Sequence, residues 1–245
     1  MPTVAITLDC EAADYPRCYT QDYIRVAEEF TIPFTWMIQV SGKDPMANAQ
    51  LYYREYLHRI PSWHEFGLHL HFENAQGHYI EDPRERGELI QTGKDMLKQA
   101  HLKPTAFRAG SYALIPPDLK YLEDMGFLVD SSAIPNAEYR MFVDWDGAPQ
   151  RPYHPSYDDL RKPGEARILM VPIATSNGKF AYLDQGWDTL QTILQHHLDQ
   201  GTPVICIGGY DYHDSVETLR EAILLLKKHN ARFTTLTQVV SEYTL

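Results

Sequence analysis

Residues 3–11 read Thr3-Val4-Ala5-Ile6-Thr7-Leu8-Asp9-Cys10-Glu11, an apolar, β-branched run that ends in two carboxylates. Such a run makes a buried strand. Side chains alternate faces along a strand, so Asp9 and Glu11 point one way while Leu8 and Cys10 point the other. A carboxylate buried without a partner is costly, so Asp9 at the end of this strand is expected to have a task.

The same rhythm runs through the rest of the chain. Strand signals at Phe34–Val40, Glu65–His71, Ala106–Arg108, Phe127–Asp130, Ile168–Ile173, Val204–Ile207 and Arg232–Leu236 alternate with helix signals. The helices are expected at Gln21–Phe30, Ala49–Ile60, Pro83–Ala100, Pro117–Met125, Trp187–Gln200 and Val216–His229. Asp82-Pro83 opens one helix, Pro117 sits in the first turn of the next, and Gly126 and Gly201 follow helix ends, as caps and stops require. Short strands alternating with helices build parallel βαβ units. The expected fold class is α/β, a distorted parallel (β/α) barrel of seven to eight strands, with residues 1–245 as one domain. An open doubly wound sheet is the competing arrangement. No Gly-x-Gly-x-x-Gly and no phosphate-binding Gly-x-x-x-x-Gly-Lys loop occurs, so nucleotide binding has no motif behind it.

Composition narrows the partners. The net charge is −11, which repels nucleic acid and anionic membrane surfaces. No apolar run reaches the length of about 18 residues that spans a bilayer, so no membrane insertion is expected. The N-terminus lacks a leader pattern, and Cys10, Cys18 and Cys206 are an odd set without disulfide spacing. The expected location is therefore cytoplasmic, with reduced thiols. The oligomeric state cannot be read.

In a parallel barrel the chemistry gathers at the carboxyl ends of the strands. The third strand ends Gly67-Leu68-His69-Leu70-His71, and the same parity puts His69 and His71 on one face. Two imidazoles and a carboxylate suit a divalent metal, with zinc the first choice and cobalt, manganese or nickel as alternatives. The fourth strand runs into Arg108-Ala109-Gly110-Ser111-Tyr112. Arg108 there can hold Asp9 ionised, and Gly110 permits close approach of backbone to a ligand. Asp130-Ser131-Ser132 closes the fifth strand, reading equally as a cap or as part of a site. A late strand leads into Gly208-Gly209-Tyr210-Asp211-Tyr212-His213-Asp214, where His213 can protonate a leaving amine, its tautomer set by Asp211 or Asp214. The segment Ile134–Gly164 lacks periodicity and carries Tyr139, Trp145, Tyr153 and Tyr157. A loop of that length in a compact domain is usually functional or poorly ordered, and this one is expected to cover the mouth.

Taken in order, these blocks resemble the polysaccharide-deacetylase family (NodB homology, carbohydrate esterase 4) across about residues 3–240. Thr7-Leu8-Asp9-Cys10-Glu11 is similar to the family's first block, which implies Asp9 as catalytic base and Glu11 as metal carboxylate. His64-Glu65-Phe66-Gly67-Leu68-His69 resembles the lead-in to the first metal histidine. The family's second histidine falls at Glu73, so either His71 replaces it or Glu73 binds. The Leu-His-Leu-His version looks like a branch associated with lipopolysaccharide or O-antigen biosynthesis. Arg108 matches the residue that orients the base, and His213 the catalytic acid. The resemblance implies hydrolysis of a carbon–nitrogen amide bond other than a peptide bond, most often an N-acetyl group on an amino sugar. Gly110, Ser111, Tyr112, Asp130, Trp145 and Tyr210 are the expected contacts to that carbohydrate or small amide. Two alternatives stand beside it: an allantoinase-like hydrolase of a small amide, and a metal-free barrel that only binds carbohydrate.

Overall fold

The structure, a computed structural model, describes residues 1–11, 18–40, 53–74 and 76–243. Its strands are β1 (Thr3–Cys10), β2 (Thr35–Gln39), β3 (Glu65–Leu70), β4 (Ala106–Ala109), β5 (Val129–Asp130), β6 (Leu169–Met170), β7 (Thr175–Ser176), β8 (Lys179–Phe180), β9 (Val204–Ile207) and β10 (Arg232–Thr234). All but β7 and β8 join one sheet in the order β10-β1-β2-β3-β4-β5-β6, with β9 also on β1. Every ladder in that sheet is parallel. The ladder of β6 stops just ahead of Pro172, which has no N–H to donate. The chain nevertheless runs on to Ile173, which bridges Cys206 of β9 in parallel. That contact brings the two ends of the curled sheet together, giving the distorted (β/α) barrel expected from the sequence.

All eight residues of β1 are buried, as befits a strand with neighbours on both edges and layers on both faces. The helix Pro83–Gln99 starts as its sequence dictates, with the Asp82 side chain accepting a hydrogen bond from Arg84 N and Pro83 in the first turn. It turns Ile90 and Leu97 inward. The helices Trp187–Asp199 and Val216–Lys228 do the same with Leu190, Ile193 and Leu194 and with Leu219, Ile223 and Leu226. Buried apolar residues from Val4 to Val239 form one cluster. No described helix is long and apolar enough to cross a membrane.

Three local readings differ. Of the helix expected at Ala49–Ile60, residues 49–52 lie outside the described residues, and Tyr53–Leu57 forms a single π-helical turn. The strand expected at Arg232–Leu236 ends at Thr234, because Thr235 caps a short helix, Leu236–Val240, in a reciprocal box with Gln238. The hairpin β7–β8 was not expected at all. Its turn is Asn177-Gly178, with φ of 51° and 74°, the left-handed pair that joins two antiparallel strands most tightly.

Candidate metal centre

β1 and β3 lie one strand apart, with β2 between them, and their carboxyl ends deliver the expected pairs to one mouth. Among the described residues, Glu11, His69 and His71 each offer a ligand atom, all within 4.8 Å of one another. His69 Nε2 stands 3.0 Å from Glu11 Oε1, and His71 Nε2 stands 3.5 Å from the same oxygen. The Nδ1 of His69 lies 3.1 Å from the Arg108 carbonyl, which can only accept. That contact puts the proton on Nδ1 and leaves the Nε2 lone pair facing Glu11, the tautomer a metal ligand needs. Both ring nitrogens of His71 are buried without a hydrogen-bond partner, a costly state for polar atoms that have no other use. Glu73 stands behind His71, its Oε1 3.8 Å from Nδ1. The donor set of two imidazoles and one carboxylate fits zinc or a neighbouring first-row ion.

The local charges favour a positive charge at this point. Burial alone would raise Glu11, but the facing imidazoles of His69 and His71 outweigh it and hold the carboxyl well below the usual carboxylate range. Burial works against a charged His69, yet Asp9 and Glu11 together pull its pKa up. Gly110 makes room for the trio: a Cβ there would overlap the His71 ring.

Beside the trio sits a buried ion pair. Arg108 Nη1 donates to Asp9 Oδ1 at 2.8 Å, and neither side chain is more than 3% exposed. The remaining guanidinium donors reach Ser131 O, Ser131 Oγ and Thr7 Oγ1. Thr7, Asp9 and Glu11 thus share the face that parity gave them. Burial disfavours the charged form of Arg108, but the Asp9 carboxylate overrides it and raises the pKa well above the ordinary value.

The cleft above these groups has a volume of about 160 Å³ and is walled by Ser111, Tyr112, Tyr139, Phe180, Tyr210 and Tyr212. Ser111 and Tyr112 both have left-handed backbones, with φ of 52° and 57°. Consecutive non-glycine residues in that region mark a strained turn held by its surroundings. Part of that hold is Trp145, whose indole Nε1 donates to the Tyr112 carbonyl at 3.0 Å.

Not every expected contact reaches the cleft. Trp145 is buried behind the wall. Asp130 is fully buried, and its two oxygens accept from Ser132 N and Ser132 Oγ, while Ser132 Oγ accepts from Ala109 N. It ties β5 to the end of β4 rather than facing a ligand. His213 is exposed and packs on Tyr210 and Tyr212, ring centroids 5.9 and 4.9 Å away. Asp211 does not orient it. One Asp211 oxygen accepts from the backbone N of Glu11 and the other from Tyr56 Oη, so Asp211 fixes the end of β1. Tyr139 lines the cleft as expected of the irregular segment, whereas Tyr153 and Tyr157 turn away to Leu160 O and the Glu123 carboxylate. Three contributors were missed: Phe180 and Tyr212, which wall the cleft, and Tyr182, which packs behind it. Phe180 and Tyr182 come from the hairpin and the strap after it, and only the Asn177-Gly178 dipeptide signalled that structure there.

No protein-family model matches the sequence, and no curated protein does. Solved structures do match. A Mycobacterium smegmatis protein assigned as a polysaccharide deacetylase superposes with TM-score 0.69 at 15% identity, over 98% of this chain and 89% of that one. A Parabacteroides distasonis protein assigned as a glycoside hydrolase/deacetylase gives 0.69 at 14% identity, over 98% and 71%. A family 4 carbohydrate esterase from Streptomyces lividans, solved with acetate, gives 0.52 at 12% identity, over 96% and 92%. At these identities the likeness is one of architecture, and the chain has the (β/α)-barrel fold of the family 4 carbohydrate esterases.

Proposed function

We propose that this chain is a divalent-metal-dependent hydrolase that removes an N-acyl group, N-acetyl in the first instance, from an amino sugar. The observation that carries the reading is the meeting of Glu11, His69 and His71 beside the Asp9–Arg108 pair at the floor of an aromatic cleft. The neighbours' printed activities, deacetylation and carbohydrate ester hydrolysis, point the same way. The Leu68-His69-Leu70-His71 run supports a place in surface-polysaccharide synthesis.

Glu11, His69 and His71 would hold the ion, with zinc the first candidate, and when bound it supplies Lewis acidity toward an acyl oxygen and toward water. Asp9 is the base that takes a proton from the attacking water, and Arg108 holds it in place. Tyr112 and Tyr210 offer ring faces to the apolar side of a sugar. The strained Gly110–Tyr112 turn places backbone N–H groups beside the cleft, where they can meet a developing oxyanion. His213, which packs on the cleft-wall residues Tyr210 and Tyr212, is the candidate to protonate the departing amine.

The small volume of the cleft also favours a second substrate, a compact non-peptide amide of the allantoin kind. Acetate release from N-acetylglucosamine and its short oligomers, with ring-opening of allantoin in parallel, separates the two. The protein is tested as purified, after chelation, and after reloading with zinc, cobalt, manganese or nickel. Metal-restored acetate release supports the proposal. No bound metal and no hydrolysis after reloading, with sugar binding retained, would leave a carbohydrate-binding barrel.

A further inference from the structure

Asp9 has a second partner that the ion pair with Arg108 does not explain. Tyr182 Oη donates to Asp9 Oδ2 at 2.5 Å, and Arg108 Nη1 reaches the same hydroxyl at 3.3 Å. Asp9, Arg108 and Tyr182 therefore close a triangle in which each carboxylate oxygen carries its own donor. Tyr182 is fully buried and does not line the cleft, so it acts on a ligand only through what it touches. Burial keeps the phenol protonated far above its usual range, which makes it a donor at every working pH.

The molecule is shaped to bring it there. Tyr182 sits beyond the β7–β8 hairpin, where it bridges Gly208 in parallel. A Cβ at residue 208 would overlap the Tyr182 ring, so glycine at that position is what lets the ring pass under the sheet toward Asp9. Three rings of the cleft wall then pack on it, Phe180, Tyr210 and Tyr112, with centroids 5.3, 5.0 and 6.1 Å away. A residue whose rotamer is locked on three sides holds its hydroxyl where the packing puts it.

We infer that Tyr182 is the positioning residue for the base: it fixes the rotation of the Asp9 carboxylate and ties that rotation to the aromatic wall on which the substrate lies. This rests on the amide-hydrolase reading for its chemistry but on the Asp9–Tyr182–Arg108 triangle for its geometry. Of the two oxygens, Oδ1 faces a cation and Oδ2 a neutral phenol. Each oxygen accepts from one of these donors and keeps a further lone pair, so the carboxylate is held at two points.

The test is Tyr182→Phe, which keeps the ring and its packing, with Gly208→Ala as a second variant that displaces the ring but leaves the hydroxyl. Both are compared with wild type in kinetics on the best N-acyl substrate, in bound metal, and in crystal structures. The expected result is a fall in kcat of about 10- to 100-fold with KM within about two-fold and metal content unchanged, since a misaligned base weakens the transition state rather than binding. In the Tyr182→Phe crystal, the Asp9 carboxylate is expected to rotate away from its two-point seat. Unchanged kcat, or a rise in KM that accounts for the whole loss, overturns the inference. Should wild type hydrolyse no amide, the functional reading fails by itself, and the crystal structure still decides: an Asp9 carboxylate that stays in place without the hydroxyl overturns the positioning role.

Discussion

Gly110 lies directly against the imidazole of His71, so close that any Cβ on residue 110 would overlap the ring. The glycine belongs to the turn after β4 and the histidine follows β3, so the metal trio depends on how two neighbouring strands end. Gly110→Ala is expected to leave the barrel folded and to push His71 off the Glu11 oxygen it faces. Disturbing a group that positions a metal ligand typically weakens metal affinity about 10- to 100-fold. Competition with a chromophoric chelator measures this, and an affinity equal to wild type would show that His71 is no ligand.

The trio and the base are separable by substitution. His69→Ala removes the imidazole whose tautomer the Arg108 carbonyl sets, and is expected to abolish metal retention. Asp9→Asn keeps a group of the same shape between Arg108 and Tyr182 but cannot take a proton. It should retain metal and lose about 100- to 10,000-fold in turnover, the usual range for a general base. Metal analysis beside acetate release checks both. A His69→Ala protein that holds metal normally would falsify the ligand assignment.

The two side-chain pairs were legible because each is governed by a rule of local geometry. Asp9 and Glu11, and His69 and His71, are spaced by two on strands, and strand parity puts each pair on one face wherever the strand goes. Arg108 was legible for a related reason: a cation at a buried strand end must meet a carboxylate. The partners that complete the site were not legible. Tyr182 reaches Asp9 across 173 positions, and Asp211 reaches the Glu11 backbone across 200. No local pattern encodes which of several tyrosines or aspartates will arrive. Asp130 stayed open between two readings for a different reason. Asp-Ser-Ser at a strand end has one local signature, whether the carboxylate faces a ligand or closes on its own serine two residues on. Here it closes.

A second buried ion pair braces the rim. Arg86 donates through Nε and Nη2 to the two oxygens of Asp118, at 2.9 and 2.5 Å. Its other contacts are Tyr79 Oη, Ile80 O and Ala113 O, and its guanidinium lies 3.4 Å above the Phe72 ring. Phe72 follows His71 and Ala113 follows Tyr112, so this one side chain clamps both segments that frame the cleft. Arg86→Met leaves Asp118 buried and unpaired, which typically costs about 3–5 kcal/mol. The double variant Arg86→Met/Asp118→Leu removes both charges and is expected to recover part of that loss. Urea unfolding measures all three proteins. A single variant within about 1 kcal/mol of wild type would show that the clamp is ornamental.

Asp130 gives the fold a pH dependence whose sign is set by burial. Desolvation pushes its carboxyl up to about 7, against the hydrogen bonds from Ser132 and the pull of Arg108. In the unfolded chain an aspartate titrates near about 3.9. A folded-state pKa above the unfolded value means that the folded protein holds the proton more tightly. The contribution to stability is therefore complete below pH of about 4 and is lost as pH rises through about 7. Asp130→Asn removes the titration while leaving a carbonyl oxygen to accept from Ser132. The difference in unfolding free energy, wild type minus variant, is expected to fall by a few kcal/mol between pH 5 and pH 8, one pKa unit corresponding to about 1.4 kcal/mol. Taking the difference cancels the other carboxylates, whose titration is common to both proteins. If that difference stays flat across the range, Asp130 is ionised throughout, and the Ser132 hydrogen bonds, rather than burial, govern its charge.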